Sequence, residues 1–335
     1  MKAKIVLTHR VFPETVALLQ PHCELILNET SHTLPQGEIL SRCADADAMM
    51  AFMPDHVDED FLRHCPKLKV IGAALKGYDN FDAEACTNHD VWLSIVPDFL
   101  TAPTADLTMA MLLSISRHVL AADQYVRKGN FQGWRPVFYG TGLSGETVGL
   151  IGMGNVGQAI ARRLQGFDAE VIYYDCKRLD LAEEKRLGVE YAPLSHVVEH
   201  STYLVPMLPY NEETRHLIDA QMIAAMPKHA YLINVCRGSV VDEDAVVSAL
   251  TDGHLAGYAA DVFEFEEWAR ADRPLGIHPE LLAMQEKTLF TPHLGSAVIQ
   301  SRKNIELTAA RNIIEALSGN KPTHAVNDIR MGALK

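Results

Sequence analysis

Short β-rich apolar runs alternate with amphipathic stretches from the first residues onward, at 5–8, 14–20, 24–27, 38–42 and 48–52. Strand-type and helix-type periodicities in alternation are the signal of parallel βαβ units. Residues 69–73 form another candidate strand. It runs straight into Lys76-Gly77-Tyr78-Asp79-Asn80, a turn-rich segment at a carboxyl-terminal strand end. Open α/β sheets bind ligands at that edge. After Pro103 a helical pattern spans 104–126, with Ala, Leu and Met on its inner stripe and Thr104 and Asp106 in the first turn. Residues 129–145 are rich in glycine and aromatics with little periodicity, which predicts an extended arm. The alternation then resumes up to His293, and a last helix over 298–317, with no strand after it, is expected to pack back on the first domain. The pattern predicts an α/β chain of two parallel-sheet domains.

Composition narrows the functional classes. With 335 residues, 48% hydrophobic and 22% charged, the chain suits two globular domains without low-complexity tracts. A net charge of -13 with no basic stripe argues against nucleic acid or an anionic membrane as partner. The apolar run 107–115 is interrupted by Thr108 and Ser114 and falls well short of a membrane span. The first nine residues read as a strand rather than a signal peptide. Cys23, Cys43, Cys65, Cys86, Cys176 and Cys236 are scattered without the close pairs of a zinc or disulfide framework, so no metal site is expected and a reducing cytoplasm is. On so acidic a chain, an anionic substrate requires local cations.

Val148-Gly149-Leu150-Ile151 reads as a buried strand ending in Gly152-Met153-Gly154-Asn155-Val156-Gly157, which opens a helix. In a GxGxxG loop the first glycine permits the tight turn, the second lets backbone approach a pyrophosphate, and the third lets helix and strand pack closely. A further strand, 170–174, ends at Asp175, where a carboxylate accepts from the adenosine ribose hydroxyls and repels a 2′-phosphate. That favours NAD. Lys177 and Arg178 follow at once and leave room for some NADP tolerance.

Four segments carry polar groups out of apolar strands: Ala74-Leu75-Lys76-Gly77, 232–239 with Arg237, 259–266 with Asp261 and Glu266, and Thr291-Pro292-His293-Leu294-Gly295-Ser296. Taken singly, Arg237 suits a surface ion pair, Glu266 a solvated face and His293 a satisfied core position. Together they make a hydride-transfer set. A guanidinium clamps an oxyanion in two-point fashion, an imidazole works as acid or base, and a carboxylate fixes its tautomer.

With these motifs in this order and spacing, the chain resembles the D-isomer-specific 2-hydroxy acid dehydrogenase family over nearly its whole length. The resemblance implies Arg237, Glu266 and His293 as the catalytic set, and two Rossmann-like/flavodoxin-like parallel-sheet domains with the active site in the cleft between them. It implies a discontinuous substrate domain, 1–100 plus 293–335, and an NAD domain, 101–292. It adds Thr104, Pro209, Val235, Cys236, Asp261 and Gly295 to the cofactor contacts, and a homodimer clasped through the helix and arm over 107–142. Within the family the chain is similar to the phosphite-oxidising branch in 50–55, 74–82, 130–134, 138–143 and 268–274. There the resemblance implies a small oxyanion substrate, phosphite, held by Lys76, Gly77 and Arg237, with Arg302 a further active-site cation and Met53, Trp134 and Tyr139 lining the pocket. Hydroxy-acid members usually carry a small residue where Lys76 stands, and a second cation suits a dianion. Two alternatives stand beside it. One is a lactate- or glycerate-type 2-hydroxy acid dehydrogenase using the same residues; the other is a non-catalytic NAD-sensing corepressor, which has no need of a Glu266–His293 pair.

Overall fold

The structure is a computed structural model that describes residues 2–329. It divides into two units, one comprising the chain up to Leu100, Trp268–Ala271 and the chain from Ala297 on, the other Thr101–Glu267 and Asp272–Ser296. The C-terminal divide lies at Ala297, not at 293, so His293 belongs with the second unit.

The first unit holds a parallel sheet of β1 (Ala3–Leu7), β2 (Cys23–Leu27), β3 (Ala48–Ala51), β4 (Val70–Ala73) and β5 (Trp92–Ser94), in the order β2-β1-β3-β4-β5. The central strands AMMA and VIGA are buried at every position. Unbroken apolar runs of this kind belong to parallel strands covered on both faces. One face packs Val6, Met49 and Ile71 against Phe61 and Leu62. The other packs Ile5, Met50 and Val70 against Ile305, Ala309 and Ile313 of the terminal helix Ile299–Leu317. Gly72 sits where a Cβ would stand 2.5 Å from Ile313 Cγ1, so the absence of a side chain lets the helix lie close. Truncating Ile313 to Ala would cost about 2–5 kcal/mol.

The second unit holds a parallel sheet of β6 (Thr147–Ile151), β7 (Glu170–Tyr174), β8 (Val189–Tyr191), β9 (Tyr203–Pro206), β10 (Ala230–Asn234), β11 (Leu255–Ala260) and β12 (Thr288–Phe290), ordered β12-β11-β10-β9-β6-β7-β8. The order reverses between β6 and β9. Crossovers diverge there and leave a crevice at the carboxyl ends, the usual nucleotide position.

One predicted element differs. The single helix expected over 104–126 is two, Thr101–Ser116 and Val119–Arg127, broken at His118 with φ 52°. The cause lies in the arm: the Ser116 carbonyl, needed to continue the helix, accepts instead from the Thr141 amide at 3.0 Å. A Cβ on Gly140 would stand 2.0 Å from that same oxygen. Among the described residues no helix is long and apolar enough to cross a membrane, and no cluster of three metal-ligating side chains occurs.

Candidate active site

The loop after β6 is shaped by its glycines. Gly152 has φ 105°, and a Cβ on it would meet the Met207 carbonyl oxygen at 2.5 Å; on Gly157 it would meet the Gly152 oxygen at 2.3 Å. Neither tolerates a side chain. Gly154 differs: nothing lies within 4 Å of its Cβ position, and it caps the helix Asn155–Leu164. Open space at a helix N-terminus fits a pyrophosphate. Asp175, at the end of β7, accepts from the Met153 amide at 2.7 Å and the Lys177 amide at 3.0 Å. Burial works against its charge, but those two amides outweigh it and hold the carboxyl below its usual value. The fixed anion at the end of β7 therefore fits the ribose role. Arg178 turns to Glu184, donating through Nε at 2.8 Å and Nη2 at 2.9 Å.

The predicted chemical residues of this unit are each locked from below. Asn234, fully buried at the end of β10, donates to the Arg237 carbonyl at 2.9 Å and accepts from the Cys236 amide at 3.1 Å, folding the turn that carries Arg237. A Cβ on Gly238 would stand 1.9 Å from the Phe263 carbonyl carbon. The Arg237 turn thus rests directly on the backbone of the turn Glu264–Glu266. Glu266 accepts from its own turn, the Phe263 amide, at 2.9 Å, and its second oxygen lies 2.7 Å from His293 Nδ1. With Nδ1–H donated to Glu266, Nε2 is the nitrogen left for proton exchange.

His293 itself adopts φ 55°, held by its amide donating to the Asp261 carbonyl at 2.9 Å. Asp261 is fully engaged below it: it accepts from Thr291 Oγ1 and the Leu294 amide, both at 2.6 Å, and from the Gly295 amide at 2.8 Å. Burial pushes its carboxyl up, while the Thr291 hydroxyl and the Leu294 amide pull it down. Its carboxylate shapes the His293 loop. Thr104 Oγ1 donates to the Gly295 carbonyl at 3.3 Å, tying the start of the first helix to that loop. Pro209 lies just past β9, its carbonyl accepting from Thr214 Oγ1 at 2.8 Å. Val235 and Cys236 are buried after β10.

Met53, Lys76, Gly77 and Arg302 belong to the first unit. Lys76 does not stand as an isolated cation: its Nζ lies 3.1 Å from an Asp98 carboxylate oxygen. That pairing weakens the case for a second full positive charge. Asp98 carried no motif, and only the fold reveals it. Met53 is half-buried, its carbonyl accepting from Asn80 Nδ2 at 2.8 Å. Arg302, in the first turns of the terminal helix, has its guanidinium 5.7 Å from the Phe52 ring centre. Trp134 and Tyr139, on the arm, are 83% and 76% exposed and take no part in a core.

Similarity to known proteins places this geometry. Residues 109–295 match the family described as D-isomer specific 2-hydroxyacid dehydrogenase, NAD binding domain. A glyoxylate reductase of Pyrococcus furiosus is 34% identical over 332 residues, 98% of this chain and 96% of the relative. A Thermus thermophilus protein superposes with a TM-score of 0.86 at 30% identity, covering 96% of this chain and 99% of that one. An NADPH-dependent glyoxylate/hydroxypyruvate reductase of Sinorhizobium meliloti, solved with NADP and malonate, gives 0.82 at 26% identity, covering 97% of both chains. The chain belongs to the D-isomer specific 2-hydroxyacid dehydrogenase family and is an NAD-dependent oxidoreductase of that family.

Proposed function

We propose that the chain interconverts a small 2-oxo acid and its D-2-hydroxy acid, with glyoxylate the first substrate to test. The observation that carries the reading is the 2.7 Å contact between Glu266 and His293 Nδ1, beside an Arg237 turn seated on the Phe263 and Glu264 backbone. Arg237 binds the substrate carboxylate. Glu266 holds the imidazole so that Nε2 gives a proton to the carbonyl oxygen during reduction and removes it from the hydroxyl during oxidation. The nicotinamide cofactor, when bound, would supply the hydride as NADH in reduction and accept it as NAD in oxidation. The relatives named glyoxylate reductase support this substrate class over the phosphite reading.

Phosphite oxidation remains as a second reading, and one observation favours it. The Arg302 guanidinium has no hydrogen bond or ion pair with any described side chain. With Lys76 it leaves the first unit cationic near the ends of β3 and β4, although Asp98 offsets one charge. A purified sample decides, monitored at the NADH absorbance. Loss of signal with glyoxylate and NADH supports the first reading; gain of signal with phosphite and NAD supports the second. In that second case Lys76→Ala should raise KM for phosphite strongly. Tight NAD binding without turnover of either substrate would sink both.

NAD is the expected cofactor over NADP, because Asp175 is a fixed anion and Arg178 is spent on Glu184. A homodimer is also part of the proposal. The helix Val119–Arg127 buries none of its own side chains and exposes Val119, Leu120 and Val126, while the arm exposes Phe131, Trp134 and Tyr139. So many exposed apolar side chains on one helix and the arm that follows it suit an interface. Sedimentation equilibrium at the mass of a monomer would refute it.

A further inference from the structure

The first unit holds a polar cluster of which the readings above use only Arg302. Its sheet order turns back at β1 and β3, so the segments leaving those two strands diverge and leave a crevice at their carboxyl ends. His9 stands two residues beyond β1, and Phe52 directly follows β3. The two rings lie 5.2 Å apart. The Arg302 guanidinium sits on the same Phe52 ring, at 5.7 Å. The support beneath is rigid. Asp55, fully buried, accepts from the Phe52 amide at 2.7 Å and from the Thr8 hydroxyl, so the residue preceding His9 and the ring under Arg302 share one carboxylate.

Besides the second oxygen of Asp55, two polar groups in this cluster have nothing to bind among the described residues. His9 Nε2 is buried from solvent and has no hydrogen-bond partner there. Arg302 has no acceptor for its guanidinium among them either; the nearest acid, Glu306, accepts from the Phe12 amide at 2.8 Å and from Thr15 Oγ1 at 3.1 Å. A buried donor without a partner destabilises the fold, and so does a half-buried guanidinium that has only the charge of Glu306, without a hydrogen bond, to offset it. Two such groups beside one aromatic ring, at a sheet switch point, are explained by a ligand that satisfies both.

We propose that His9 is a substrate-binding residue, its Nε2–H donating to the same small oxyanion that Arg302 binds. Burial, with Arg302 second, pushes the imidazole below its ordinary value, so it is a neutral donor at neutral pH. A neutral donor beside one guanidinium gives direction without a second charge. The ligand chemistry is a compact oxyanion with at least two oxygens, which both a 2-oxo acid carboxylate and phosphite possess. The inference rests on the second of the two functional readings in taking Arg302 as substrate-side.

The test uses the full-length protein with NAD and 15N-labelled histidine. The His9 ring signal is assigned by its loss in His9→Gln, and glyoxylate and phosphite are titrated in turn, with chloride as the ionic-strength control. Saturable movement of the His9 signal by one of the two oxyanions, weakened roughly tenfold in Arg302→Ala, supports the proposal. His9→Phe, which keeps the ring contact and lacks the donor, should raise KM roughly tenfold for whichever substrate turns over, and His9→Gln should restore most of it. A His9 signal unmoved by both oxyanions overturns the inference even if turnover is robust. A signal that moves while neither substrate turns over upholds it and defeats the functional reading instead.

Discussion

The Ser239 amide donates to a carboxylate oxygen of Glu267 at 3.2 Å, and this contact joins the turn that carries Arg237 to the turn that carries Glu266. Glu267 is only 4% exposed, an unusual place for a carboxylate, so its burial must be offset by donors of this kind. A buried side chain thus braces the two turns that carry the chemistry.

Glu267→Ala should therefore raise KM for the oxyanion substrate roughly tenfold, through a displaced Arg237, and lower stability by about 1–3 kcal/mol. Glu267→Gln keeps an acceptor oxygen and should recover most of the KM. Steady-state kinetics beside thermal melts separate the two effects, since destabilisation alone leaves the KM of the folded fraction unchanged.

Glu266→Gln tests the carboxylate's role on His293. An amide can still face Nδ1 but no longer stabilises the proton-carrying imidazole, and such a change reduces turnover by about 10⁴-fold in a comparable acid–base pair. NADH affinity, read by fluorescence, should not change. A kcat within about threefold of the parent would show that His293 does not need this partner.

Asp175→Ser should weaken NAD and narrow its advantage over NADP, because Asp175 both holds the Met153 amide at 2.7 Å and repels a 2′-phosphate. The ratio of kcat/KM for the two cofactors is the measurement. An unchanged ratio would place the ribose elsewhere.

Asp55 makes stability depend on pH. Burial pushes its carboxyl up to about 6, above the unfolded value of 3.8, despite the Thr8 and Phe52 hydrogen bonds. The native state thus holds the proton more tightly than the unfolded chain. Its contribution is fully present below 3.8 and is lost as pH rises through about 6. A shift of this size corresponds to about 3 kcal/mol. Denaturant titrations from about pH 4 to 7 should show the parent losing stability relative to Asp55→Asn as pH increases; parallel curves would contradict this.

Much of the molecule was legible in the residues alone. The fully apolar strands AMMA and VIGA, the glycine loop after β6, and the turns beyond strands that carry Arg237, Glu266 and His293 all announce themselves. Local periodicity and turn chemistry decide them, and a reactive side chain beside a glycine turn is conspicuous. What the chain order does not encode locally is who meets whom. The break at His118 depends on Thr141 claiming the Ser116 carbonyl from a distant arm. The Lys76 charge is offset by Asp98, and Glu267 finds Ser239 across 28 positions. Periodicity reports which face of an element is apolar, since that needs only neighbours in sequence. Pairing of buried polar groups is decided by packing in three dimensions, because each must find a partner wherever the fold happens to bring one.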